Sequence, residues 1–147
     1  MSTARPMTTP SRRVIWRPNS GPQERFLSTS CFEVLYGGAA GGGKTDALLA
    51  WPLRWVTFPK FHTLLLRRKS TQLGEMLERA RVIYPACGGR EYLSPFPSWR
   101  FGKAGRSGAR VDFRHCESEQ NKHDFQGDEF NIVGFDELTH FTERQYR

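Results

Sequence analysis

At 147 residues, 37% of them hydrophobic and 25% charged, the chain has room for one domain with a real core and none for a second of ordinary size. Its net charge of +7 and pI near 9.8 suit a polyanionic partner such as nucleic acid and equally a solvated basic surface. No apolar stretch approaches a membrane span, no signal-peptide pattern is present, and Cys31, Cys87 and Cys116 form no C-x-x-C pair, so unpaired thiols in a reducing, intracellular compartment are expected.

From Met1 to Gln23 there is no acidic residue, while Arg5, Arg12, Arg13 and Arg17 stand among Ser, Thr and Pro. Pro6, Pro10 and Pro18 oppose the amphipathic helix of a transit peptide. Residues 1–13 therefore read as a disordered basic tail and residues 14–147 as the domain. Gln23 carries both an amide donor and an acceptor. It either bonds the edge of an adenine or sits on the surface where a helix from Gln23 to Leu27 begins.

The apolar run Cys31-Phe32-Glu33-Val34-Leu35-Tyr36 predicts a strand, and Ala47-Leu48-Leu49-Ala50 a helix. Between them Gly38-Ala39-Ala40-Gly41-Gly42-Gly43-Lys44-Thr45 has the spacing G-x-x-x-x-G-K-T of a P-loop, the Walker A pattern. Glycines let such a loop wrap with φ > 0 and bring bare N–H groups onto phosphate oxygens. Lys44 would reach the β- and γ-phosphates of ATP, and the Thr45 hydroxyl would hold Mg²⁺. Pro52 should kink or end the following helix.

Phe61-His62-Thr63-Leu64-Leu65-Leu66 predicts a second core strand, ending in the basic cluster Arg67-Arg68-Lys69. Ser70 is a candidate cap for a helix whose core stripe is Leu73, Met76, Leu77 and Ala80, and Pro85 with Gly88-Gly89 ends that unit. Trp99-Arg100-Phe101 and Val111-Asp112-Phe113-Arg114 alternate around a basic glycine-rich loop, which predicts a hairpin. Arg100, Lys103, Arg106 and Arg110 are candidates for nucleic-acid contact or simply wet charges.

Phe130-Asn131-Ile132-Val133-Gly134-Phe135 then predicts a buried parallel strand that delivers Asp136 and Glu137 to the sheet edge, the Walker B arrangement. Asp136 would hold Mg²⁺ opposite Thr45, and Glu137 would orient and deprotonate the attacking water. The competing reading is that Asp-Glu only caps the next segment. His140 is either a γ-phosphate sensor or a bystander.

Trp16-Arg17-Pro18, Pro22-Gln23, Leu35-Tyr36-Gly37-Gly38, Leu65-Leu66-Arg67-Arg68 and Phe125-Gln126-Gly127-Asp128-Glu129-Phe130, leading into Gly134-Phe135-Asp136-Glu137-Leu138-Thr139-His140-Phe141, together resemble the large terminase subunits of tailed bacteriophages. The resemblance spans about Arg13 to Arg147 and implies an α/β P-loop NTPase core of RecA/ASCE type, with a mostly parallel sheet and flanking helices. It implies an Mg-dependent ATPase motor in the bacterial cytoplasm that moves double-stranded DNA into a procapsid. Its partners would be the small terminase subunit and the portal protein, in a homo-oligomeric ring. It also implies that Gln23 reads adenine. Ala39 and Ala40 stand where some members carry an arginine, so an arginine finger would come from Arg67, Arg68 or a neighbouring subunit. Later strands, a coupling motif and a two-metal nuclease domain follow in the family and are expected beyond Arg147, which would make this chain a truncated front half. A RecA-like helicase and a non-catalytic nucleotide-binding fragment are the alternatives.

Overall fold

The computed structural model describes residues 14–38, 41, 43–102, 108–118 and 127–147. The tail 1–13, Ala39, Ala40, Gly42, the hairpin tip with Lys103 and Arg106, and Phe125-Gln126 lie outside the described residues. Helices α1 (Pro22–Ser28) and α2 (Lys44–Ala50) come first, and α2 passes into a 3₁₀ turn at Trp51–Trp55, where Pro52 removes the N–H that an α-helix would need. Strand β1 (His62–Arg67), helix α3 (Ser70–Ile83) and a 3₁₀ turn at Tyr84–Cys87 follow. Strands β2 (Arg90–Tyr92), β3 (Ser98–Arg100), β4 (Arg110–His115) and β5 (Ile132–Phe135) complete the sheet, ahead of a 3₁₀ turn at Leu138–His140 and α4 (Glu143–Tyr146).

Among the described residues the sheet order is β2-β3-β4-β1-β5. β1 pairs in parallel with β4 and β5, whereas β2–β3 and β3–β4 are antiparallel. The fold is thus mixed α/β, and the expected mostly parallel sheet is corrected to an even mixture. The reason is chain length: residues 93–97 join β2 to β3 and residues 101–109 join β3 to β4, too few for the crossover that parallel pairing needs, while β1 reaches β4 and β5 through much longer connections.

Alternation along each strand sends Leu65, Trp99, Val111 and Phe113 to one face, against Leu73, Met76, Ala80 and Ile83 of α3 and Leu49 of α2. Met76, Leu65 and Phe113 are fully buried, and each such side chain contributes about 1.5–3 kcal/mol of transfer free energy. The predicted stripe on α3 is therefore its core face. Ser70, expected as its cap, is instead the first helical residue and donates its N–H and hydroxyl to Glu117 Oε1, both at 2.9 Å, which lowers the pKa of that carboxylate.

Two strand expectations are corrected. Residues 31–36 form no strand, and Phe32 and Leu35 are 107% and 78% exposed. An extended segment becomes a strand only when a neighbouring strand takes up its backbone groups, and this segment is in none of the described sheet's pairings. β5, expected to be buried on both sides, is the sheet edge, with Val133 46% exposed. None of the three cysteines is in a disulfide; Cys116 is buried and the other two exposed. No helix among the described residues is long and apolar enough to cross a membrane.

Candidate functional site

Thr45 stands in the first turn of α2, and Asp136 follows the last residue of β5. Gly134 is what lets the two elements touch, since a Cβ there would lie 2.7 Å from Leu48 Cδ1. Thr45 is one helical turn before Leu48, and Asp136 is two residues beyond Gly134, so the same close approach carries both side chains to one point. The Thr45 hydroxyl donates to Asp136 Oδ2 at 2.9 Å, across 91 residues of chain.

Parallel pairing of β1 with β5 adds a third member. Leu66 is in register with Phe135, and Asp136 N–H donates to Leu66 O at 2.9 Å, so Arg67 and Asp136 leave the sheet side by side. Arg67 donates Nε at 3.0 Å and Nη2 at 2.7 Å to Asp136 Oδ2, and its Nη2 stands 3.5 Å from Thr45 Oγ1. Its Nη1 donates to Gln72 O at 3.1 Å and to Glu75 Oε2 at 3.2 Å, on the first turns of α3. Arg67 and Asp136 are each 5% exposed. Burial opposes the charge on Arg67, but the hydrogen bond and charge of Asp136, then Glu137 and Glu75, carry its pKa above the ordinary arginine value. A buried carboxylate without such a partner would be strongly unfavourable.

The glycine loop is held from behind. Gly43, at the N-cap of α2, has φ +67°, and a Cβ on it would lie 2.4 Å from Gln23 Nε2. Gln23 is 2% exposed; its Nε2 donates to Gly43 O at 2.7 Å and its Oε1 accepts from Asn19 N–H at 2.6 Å. Lys44 Nζ donates to Gly38 O at 3.0 Å. Beside the loop lies a cavity of about 240 Å³ lined by Asn19, Pro22, Gln23, Tyr36, Gly38 and Lys44 among others. Gly41 is described with φ +79°, while Ala39, Ala40 and Gly42 fall outside the described residues.

Glu137 has φ +57° and ψ +52°, a left-handed conformation that costs a non-glycine residue about 1–2 kcal/mol. Its side chain is 40% exposed and meets His140 Nδ1 at 3.2 Å. Non-glycine residues held in this region cluster at functional sites. Of the two arginines proposed as fingers, Arg67 is engaged as above and Arg68 donates to Cys116 O.

The Arg67, Gln72 and Glu75 contacts on this site were not foreseen, although a basic residue ending one buried strand and an acid ending another are a legible signal once the two strands are known to be neighbours. Asp46 was also missed; it accepts from Trp16 Nε1 at 3.3 Å and from Arg79 Nε and Nη2 at 2.8 and 2.6 Å. Arg100 and Arg110, the described candidates for nucleic-acid contact, are in register on β3 and β4, and β1 lies between β4 and β5. Arg100 lies 4.6 Å over the Tyr92 ring, and Arg110 and Arg114 lie 5.2 and 3.6 Å over Phe96.

No curated protein and no solved structure matches the chain. A family model described as terminase large subunit, T4likevirus-type, N-terminal, matches residues 35–147, which include the glycine loop, Arg67 and the Asp136-Glu137 pair and leave Gln23 outside. That match spans well over half of the sequence, and the chain belongs to this terminase large subunit family.

Proposed function

We propose that the chain is the ATP-binding and hydrolysing P-loop core of a phage terminase, the motor that drives double-stranded DNA into a procapsid. The observation that carries this reading is the hydrogen bond from Thr45 to Asp136 Oδ2. It joins the last residue of the G-x-x-x-x-G-K-T pattern to the acid that ends an apolar strand, the two oxygen ligands that a nucleotide-bound Mg²⁺ requires. The donor set fits that ion: Mg²⁺ takes one or two protein oxygens and completes its octahedron with water and phosphate. No group of three or more His, Cys, Asp or Glu among the described residues offers a complete cage of its own.

In this reading the backbone N–H groups of the glycine loop and Lys44 hold the β- and γ-phosphates, and the cavity beside Gln23 and Tyr36 takes the nucleoside. Thr45 and Asp136 would hold Mg²⁺, which would supply positive charge to offset the negative charge developing on the transferred phosphoryl group. Glu137 stands one residue beyond Asp136 with its carboxylate partly exposed, a position from which it orients water and accepts its proton. Double-stranded DNA, the small terminase subunit, the portal protein and neighbouring copies in a ring are the partners, in the host cytoplasm.

The test is nucleotide binding and phosphate release by the chain and two variants. Lys44→Ala should lose tight Mg-ATP binding, and unchanged affinity would remove the phosphate-loop assignment. Glu137→Gln should retain Mg-ATP and lose turnover by about 10²–10⁴-fold, the usual range for general-base catalysis. Undiminished turnover would take Glu137 out of its role. One observation favours a second reading for the chain by itself: residues 31–36, with Phe32 and Leu35 exposed, belong to no strand of the described sheet, so the loop's approach lacks sheet support. Mg-ATP binding without phosphate release would identify it as a nucleotide binder that does not turn over alone.

A further inference from the structure

Three hydrogen-bond donors converge on one oxygen, Asp136 Oδ2: the Thr45 hydroxyl at 2.9 Å, Arg67 Nε at 3.0 Å and Arg67 Nη2 at 2.7 Å. A carboxylate oxygen has about two lone-pair directions, so this atom is saturated and a metal ion cannot approach it without displacing a donor. The Thr45 oxygen is guarded as well, because Arg67 Nη2 stands 3.5 Å from it. A guanidinium and a divalent cation at such distances repel strongly in a buried site. The same arginine has a second anchorage away from the site: Nη1 is already on Gln72 O and on Glu75 Oε2, and the Glu75 side chain is 81% exposed.

We propose that Arg67 is a place-holding cation. It neutralises Asp136 in the nucleotide-free chain, bars Mg²⁺ from binding by itself, and withdraws toward Gln72 and Glu75 when Mg-nucleotide takes the Thr45–Asp136 pair. Arg67 is thus a positioning residue that makes metal entry depend on nucleotide and ties the state of the site to the N-terminal turns of α3. The inference rests on the reading of Thr45 and Asp136 as the metal-holding pair. Its physical basis is that the buried Asp136 charge needs a cation beside it, and that Thr45 and Arg67 already fill its Oδ2.

The experiment measures Mn²⁺ retained by the protein in equilibrium dialysis, with and without ATP and against a protein-free control because ATP itself binds Mn²⁺, for the chain, Arg67→Gln and Glu75→Gln. Wild type should take up Mn²⁺ tightly only with ATP. Arg67→Gln should bind Mn²⁺ alone about tenfold or more tighter than wild type, and Mn²⁺ should restore thermal stability that the variant lacks in chelator. Glu75→Gln changes an exposed side chain; it removes the charge from one of the two anchors of Nη1, leaving Gln72 O, and should weaken Mn²⁺ binding with ATP several-fold while leaving metal-free ATP binding unchanged. Equal Mn²⁺ affinity in wild type and Arg67→Gln, or unaltered affinity in Glu75→Gln, overturns the inference. Failure of wild type to bind Mn-ATP at all would instead overturn the nucleotide-site reading beneath it.

Discussion

Replacing Gln23 by Ala separates two roles for that side chain. Its amide joins Gly43 O at 2.7 Å and Asn19 N–H at 2.6 Å, and each bond has a net worth of about 1 kcal/mol. Gly43 O keeps its bond from Ala47 N–H at 3.0 Å, and Asn19 is exposed to water, so neither group is left orphaned. The expected loss is therefore about 2 kcal/mol, a fall in melting temperature of roughly 4–8 °C for a chain of this size. Gly43→Ala should be as damaging, because φ +67° costs a non-glycine residue about 1–2 kcal/mol and its Cβ would meet the same amide. As the two residues touch, the double variant should lose less than the sum of the singles. Calorimetric melting of the four proteins measures this, with ATP and GTP binding followed in parallel. A Gln23→Ala melt unchanged within about 1 °C, together with loss of preference for ATP over GTP, would refute the loop-pinning argument and make Gln23 a base reader.

Met76→Ala, at the fully buried centre of α3, should lower stability by about 2–5 kcal/mol in urea titration; a loss under about 1 kcal/mol would mean that α3 is not packed on the sheet. Phe32→Ser and Leu35→Ser should each change stability by less than about 0.5 kcal/mol, as exposed positions do, and a much larger loss would place 31–36 in a buried strand. Burial, more than the nearby Cys87 thiol, pushes the Tyr84 phenol well above its ordinary pKa. In the unfolded chain it ionises near pH 10 while the folded chain keeps the proton, so its contribution is intact below that pH and declines as pH rises further. The unfolding free energy from urea titration should fall with a slope of up to about 1.4 kcal/mol per pH unit from this group. Tyr84→Phe should abolish that component and start about 1 kcal/mol lower for want of the bond to Leu49 O; equal slopes in the two proteins would refute the assignment.

Much of this was legible along the chain because it depends on neighbours in sequence. The glycine spacing, the 3.6-residue stripe of Leu73, Met76 and Ala80, the break at Pro52, and the apolar runs of β1 and β5 are local patterns with local physical causes. Thr45 and Asp136 were paired from their motifs, and the structure does bring them together. What only the tertiary structure decided is which segments meet. The run 31–36 has the composition of a strand and is not one, because pairing requires a partner that composition cannot supply. β2 was missed because its three residues are too few to show a period. Gln23 turned inward onto Gly43 because that carbonyl lies within its reach only after α1 and α2 have packed. Arg67 reads from the sequence as part of a basic cluster and a candidate arginine finger, and only the parallel register of β1 and β5 sets it beside Asp136. Distances between residues far apart in sequence follow from strand register and helix packing, and a linear pattern does not contain them.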